Sequence, residues 1–404
     1  MSFEQDKIFK LKGKVQHYAW GGYNFITNWL GIENTVHKPH AEFWMGAHPS
    51  ASSVLIDDEN EMVLYDAIKQ HPVKYIGQKV LDAFGELPYL FKILDVRDML
   101  SIQVHPSKGE AVKGYEAEEA AGVLLSAAHR NYKDKNHKPE VMVALSEFWL
   151  LHGFLEKEAL VEVLRTVPEF GGMDDVFNLE GYKGLYQYVM EMPQDEVNSL
   201  LAPLIKREAE AREKDLINKH QPGWWVSKLY PLRDVTGDID RGVFSIYFFN
   251  IVKALPGEAI FQGEGVPHAY LEGQNVELMA NSDNVLRGGL TPKYVDVPEL
   301  LKHTIFEGTV VNIMGGEQKG EGEAIYNCPV PDFGLGKIEL MAGQRFVSET
   351  TSSMEIIVVI DGTLQVEGGN TVNARKGEAV AILPGENYVV TTPFNVLAYR
   401  AFVP

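Results

Sequence analysis

The chain has 404 residues, 45% of them hydrophobic and 23% charged, with a formal net charge of −19 and one cysteine, Cys328. The length allows two or three domains, and the composition is that of an ordinary globular protein. The charge argues against nucleic acid and anionic lipid as partners, one thiol excludes an internal disulfide or a thiolate zinc cluster, and no apolar run is long enough to span a bilayer.

The first ten residues, MSFEQDKIFK, lack an apolar core and a cleavage-site pattern. With the lone cysteine, this predicts a cytoplasmic protein. Residues 1 to about 150 read as short strands and turns, with helices over LYDAIKQH (64–71) and KGEAVKGYEAEEA (108–120). Residues 155–220 change character: EKEALVEVLRT, YKGLYQYVMEM and VNSLLAPLIKREAEAREKDLINKH place apolar residues at helical spacing. GVFSIYFFNIVKAL (242–255) is apolar and rich in strand formers, so a strand is expected there. YVDVPELLKHT (294–304) is helix-like, and residues 337–404 are strands and turns to the end.

GEAIFQGEGVPHAY (257–270) and GEAVAILPGENYVV (377–390) form a short internal repeat of strand, turn and strand. It suggests two related jelly rolls of the cupin type. The expected architecture is therefore mainly β. A catalytic jelly roll would span residues 1–154 and 242–310, a helical insertion 155–241, and a C-terminal jelly roll without metal 311–404.

Four segments carry chemistry. In SIQVHPSK (101–108), Gln103 and His105 sit two apart on a strand, so both face the same side before Pro106 ends it. In YKDKNHKPEVMVAL (132–145), Pro139 ends a polar loop and Glu140 opens an apolar strand. GVPHAYLEG (265–273) places His268 after a turn, and VELMANSDNVLRGGLTPK (276–293) is dense in Glu277, Asp283, Asn284, Arg287 and Lys293. Singly, each of these polar residues is more often an ordinary solvated or hydrogen-bonded loop residue. Together, oxygen and imidazole donors without sulfur suit Zn²⁺, Mn²⁺, Fe²⁺ or Co²⁺. A neutral amide and one carboxylate would leave such an ion a net positive charge, fit for Lewis-acid work.

These segments resemble the signatures of the type I mannose-6-phosphate isomerases. YKDKNHKPE matches one, and HAYLEGQNVELMANSDNVLRGGLTPK matches a second. HYAWGG (17–22), EFWMGAHPS (42–50) and LPYLFKILDVRDMLSIQVHPSK (87–108) extend the resemblance over essentially the whole chain. One small departure is Gly288, where the family usually has alanine. The resemblance implies an enzyme with one Zn²⁺ per chain that interconverts mannose 6-phosphate and fructose 6-phosphate, with Gln103, His105, Glu140 and His268 as ligands and Arg287 as the active-site arginine.

Moving a carbonyl from C1 to C2 passes through an enediolate, whose oxyanion the metal and Arg287 would stabilise. Glu277 and Lys138 are both candidates for the proton-transfer base. Asp283 would shuttle protons during ring opening or orient Arg287. Ser101, Lys138, Arg287 and Lys293 answer the phosphate's need for cations and donors on an acidic protein, and Trp20 would wall the sugar site. The rival readings are a metal-binding cupin of other chemistry, such as an Fe²⁺ oxygenase, and a non-catalytic sugar-phosphate-binding regulator. The expected partner is a small-molecule sugar phosphate, with no nucleic acid and no membrane.

Overall fold

A computed structural model describes residues 6–57, 60–231, 235 and 237–404. Among the described residues, three antiparallel sheets and a helical unit make up the architecture. The strand His268–Ala280 is the hub of the ten-stranded catalytic sheet. Its first half pairs with Phe148–Phe154 and with Gln103, and its second half with Tyr89–Val96 and Glu140–Ala144. Gly273, at φ +126°, separates the halves, and a Cβ there would lie 2.7 Å from the Glu147 carbonyl. A bulge between Tyr270 and Glu272 adds to the bend. One strand can thus serve two half-sheets and close the barrel around its inner face.

Period-two alternation explains what each face meets. Val141, Val143, Phe91, Ile93, Val276 and Leu278 point outward, into a core shared with Phe9, Leu55, Ile356, Val358 and Ala381 of a nine-stranded sheet. Glu140, Lys92 and Glu277 alternate with them and face inward. A third core, with Ile338, Ile357, Val366 and Val390, joins the nine-stranded sheet to a four-stranded one. The nine-stranded sheet combines C-terminal strands with Ile8–Lys12, Val54–Asp57 and Asn60–Val63, so the two ends of the chain pair directly: Ile8–Lys12 lies against Ala379–Ile382.

The helices Leu64–Gln70, Lys108–Ala120, Lys157–Thr166 and Val297–His303 fall where helical periodicity puts them. Helices Met173–Glu191 and Gln194–Glu213 form most of the helical unit, and none of the helices is long and apolar enough to cross a membrane among the described residues. One expectation needs correcting. Gly242–Phe248 is a helix, and only Phe249–Ala254 is a strand. All seven helical residues are buried in the helical unit's core, so no polar face marks the period. A short run that is apolar all round reads the same as a buried strand.

Candidate metal centre

His105 follows the strand Gln103–Val104, Glu140 begins its strand and His268 begins the hub strand. All three are buried, and their ligand atoms lie within 4.8 Å of one another. His105 Nε2 is 3.4 Å from Glu140 Oε1, and His268 Nε2 is 3.4 Å from Oε2. Each imidazole's Nδ1 meets a backbone carbonyl at 2.9 Å, from Asn284 for His105 and Val266 for His268. A carbonyl only accepts, so both Nδ1 atoms carry the proton and both Nε2 lone pairs face the carboxylate. His105 Nε2 is buried without a hydrogen-bond partner. Burial and the nearby Lys138 ammonium push His105 down to about 4, which keeps it neutral. Burial raises the Glu140 carboxyl, but the Lys138 ammonium, 3.0 Å away, outweighs it and holds the group well below its ordinary range. Gln103 pairs in register with His268, so both side chains share a face, and it lines the same cavity. A neutral imidazole pair and an ionised carboxylate converging on one point, with an amide on the same face, fit a divalent ion.

The cavity, about 60 Å³, is also lined by Glu42, Lys92, Lys138, Tyr270 and Glu277. Lys92 Nζ is 2.9 Å from Glu277 Oε2 and 3.6 Å from Glu42 Oε2, and Trp44 Nε1 donates to Glu42. Burial opposes the charge on Lys92, but Glu277 and Glu42 raise its pKa overall. Burial raises the Glu277 carboxyl, with Lys92 opposing. Three carboxylates against two ammonium groups leave a formal charge of −1, which a divalent ion turns to +1. Lys92, Glu42 and Tyr270 escaped the sequence reading. The signal was a charged residue inside the apolar runs YLFKIL and EFWM.

Other expected residues fall around this centre. Asp283 faces His48, with Oδ2 3.3 Å from Nε2, and its pKa is lowered first by that contact. Arg287 stands opposite Gln103 in the register of the neighbouring strands. Burial lowers the pKa of Arg287, and burial followed by Arg287 itself lowers that of Lys293. Among the described residues no carboxylate pairs with either side chain, so the two cations form a positive end in an acidic protein. Ser101 is half-buried just before Gln103. Trp20 packs against the barrel interior and stacks on Tyr18 at 5.8 Å. His137, also unread from sequence, is held between Glu264 (2.8 Å) and Asp332 (3.0 Å).

The model of the phosphomannose isomerase type I catalytic domain matches residues 8–157. The mannose-6-phosphate isomerase of Escherichia coli (strain K12) is 35% identical over 402 residues, covering 96% of this chain and 98% of that protein. The Homo sapiens mannose-6-phosphate isomerase is 32% identical, covering 98% of each. A crystal structure of the Salmonella typhimurium enzyme bound to its substrate, fructose 6-phosphate, and zinc is similar with a TM-score of 0.86 and 34% identity, covering 98% of this chain and 100% of that one. Full-length likeness in sequence and fold, on a chain with a buried His–Glu–His corner, decides the family: this chain belongs to the type I mannose-6-phosphate isomerases.

Proposed function

We propose that this protein is a zinc-dependent aldose–ketose isomerase that interconverts D-mannose 6-phosphate and D-fructose 6-phosphate. The observation that carries the reading is the buried corner of His105, Glu140 and His268, with Gln103 beside it, in a chain whose full-length relatives bear that name. These four residues would hold the ion. When bound, zinc supplies Lewis-acid charge beside the sugar oxygens.

The chain's own residues do the rest. A base removes the C2 proton of mannose 6-phosphate and returns it to C1, while the hydroxyl proton on O2 ends on O1. Glu277 is the better placed of the two candidates. Its carboxylate faces the cavity, Lys92 fixes one oxygen at 2.9 Å, and burial strengthens its hold on a proton. Lys138 is instead engaged with Glu140 at 3.0 Å. Arg287, beside Gln103 and near Lys293, spans the reacting end and the phosphate end, so it serves the developing oxyanion as well as the phosphate. Ser101 and Lys293 complete the phosphate end, Asp283 with His48 stands ready for ring opening, and Tyr18 and Trp20 wall the mouth.

The partner is thus a small sugar phosphate in the cytoplasm, and the net charge of −19 argues against nucleic acid or an anionic membrane. An oxygenase or a non-catalytic regulator is not favoured by relatives that carry the isomerase name over their full length. A coupled assay with mannose 6-phosphate, run before and after chelation, tests the function. Turnover should vanish on chelation and return with zinc, and His268→Ala should lose both bound metal and turnover. Full turnover in metal-free protein would sink the reading.

A further inference from the structure

The loop that carries Arg287 and Lys293 is not shaped by its own sequence alone. Leu290 sits at φ +55°, a left-handed conformation that a non-glycine residue keeps only when its surroundings over-determine it. The surroundings come from the helical unit. Asp240 Oδ1 accepts from the Leu290 N–H at 2.8 Å and from Gly242 N–H at 2.7 Å, while Oδ2 accepts from Thr291 N–H at 2.9 Å. One carboxylate therefore gathers three backbone donors from two separate segments. Bonds from N–H groups to a charged acceptor are about twice as strong as neutral ones. The segments also touch directly: a Cβ on Gly289 would lie 2.7 Å from the Gly242 backbone, and one on Gly242 would lie 2.6 Å from Leu290 N.

Asp240 is itself fixed. Its N–H donates to the Tyr230 hydroxyl at 2.9 Å, and the neighbouring Ile239 N–H donates to Asn198 Oδ1 at 2.9 Å. Arg241 clamps the carbonyls of Met190 and Met192 at 2.7 Å each, at the end of the helix Met173–Glu191. The chain of contacts continues toward the cation, because Thr291 Oγ1 accepts from the Lys293 N–H at 3.1 Å. On the catalytic side, Ile102 brackets the loop through Gly288 N–H and the Gly289 carbonyl.

We propose that Asp240 is a positioning residue for phosphate recognition: through Leu290 and Thr291 it holds Lys293 in its binding geometry, so the helical insertion sets the phosphate affinity of the site through the loop it grips. This rests on the reading that Lys293 takes the phosphate. Asp240→Asn replaces one acceptor oxygen with an N–H₂ group and opposes the N–H that faced it.

The test uses the zinc-loaded enzyme, with KM and kcat for mannose 6-phosphate and Ki for inorganic phosphate as a competitive inhibitor. Asp240→Asn should raise KM and the phosphate Ki together by about 10-fold, with kcat within about 3-fold of wild type and zinc content unchanged. A general structural defect would instead lower kcat or zinc content and leave the phosphate Ki alone, and that result overturns the proposal. Lys293→Ala separates the two levels. If it leaves the phosphate Ki unchanged, the phosphate reading fails and this inference with it. If it weakens phosphate binding and Asp240→Asn does not, only the positioning role falls. Should Asp240→Asn fail to fold, amide exchange of the wild-type holoenzyme decides. Saturating inorganic phosphate should slow exchange at the Leu290 and Thr291 amides, since coupling between sites is reciprocal, and exchange unmoved by phosphate overturns the proposal.

Discussion

Lys92 shows how much chemistry one residue can hide in an apolar strand. It is 6% exposed, and all eight residues of its strand Tyr89–Val96 are buried. A buried ammonium is tolerable only when paired, and Glu277 and Glu42 pair it. The pairing fixes Glu277 beside the metal corner, and a prediction follows for the proton-transfer base. Glu277→Gln keeps the shape and a hydrogen-bond acceptor for Lys92 but removes the basic oxygen. It should lower kcat by about 100- to 10,000-fold, with KM changed only a few-fold and zinc retained. Lys138→Met should cost less in kcat. Steady-state kinetics with metal analysis on both variants checks this, and the reverse ordering would return the role to Lys138. The candidate ligands were legible in the sequence because Gln103, His105, Glu140 and His268 are polar residues at strand ends, where neither face explains them. Lys92 and Glu42 were not, because their neighbours satisfy a buried-strand pattern and no local rule names the ion pair across strands.

At the scale of elements, the segment 130–139 has little regular structure, yet its two ends are tightly held. The Glu118 carboxylate accepts from the Asn131 and Tyr132 N–H groups, both at 2.9 Å. The Tyr132 hydroxyl meets Glu299 at 2.5 Å and His303 at 2.8 Å. Asn284 Oδ1 accepts from Lys133 and Asp134 N–H, and its Nδ2 donates back to the Asp134 and Asn136 carbonyls. Two helices and one asparagine thus aim Lys138 and Glu140. The helix Lys108–Ala120 makes room for this: a Cβ on Gly114 would lie 2.2 Å from the Tyr132 ring, whereas one on Gly109 would meet nothing within 4 Å. Gly114→Ala should therefore destabilise the holoenzyme by about 1–3 kcal/mol through overpacking and weaken zinc binding. Gly109→Ala in the same helix should be neutral or stabilising by up to about 1 kcal/mol. Thermal unfolding and zinc titration of the pair check the claim, and equal behaviour of the two variants would refute it. This helix was readable from its composition, with its Ser107 cap accepting from Glu110 N–H. The loop's anchors were not, because Glu118, Glu299 and Asn284 come from three distant stretches.

Across the whole molecule, the repeat read from GEA…GEA has a structural counterpart. Gly257 and Gly377 take φ +88° and +84°, and Gly265 and Gly385, each eight residues on, take +75° and +77°. The two segments share their turn geometry, which only glycine adopts at little cost. Aligned this way, Tyr388 stands where His268 stands in the catalytic barrel. Tyr388 is buried, and its hydroxyl donates to Glu355 Oε2 at 2.6 Å. Glu355 in turn meets Arg400 Nη1 at 3.0 Å, and Arg400 Nη2 reaches Glu323 at 2.7 Å. One barrel thus builds a candidate metal corner at this position, and its partner builds a buried ion-pair network. The pairing of Ile8–Lys12 with Ala379–Ile382, which welds the catalytic part to this second barrel, leaves no mark in either local sequence. We therefore expect the C-terminal barrel to be a structural support with no metal of its own. Purified enzyme should hold one zinc per chain. Tyr388→Phe should leave zinc content and kcat unchanged while lowering stability by about 1–3 kcal/mol, because Glu355 loses a donor in a buried setting. Metal analysis, kinetics and denaturant unfolding of that variant measure all three, and a second ion bound by residues beyond 337, or loss of zinc in Tyr388→Phe, would overturn the division of labour.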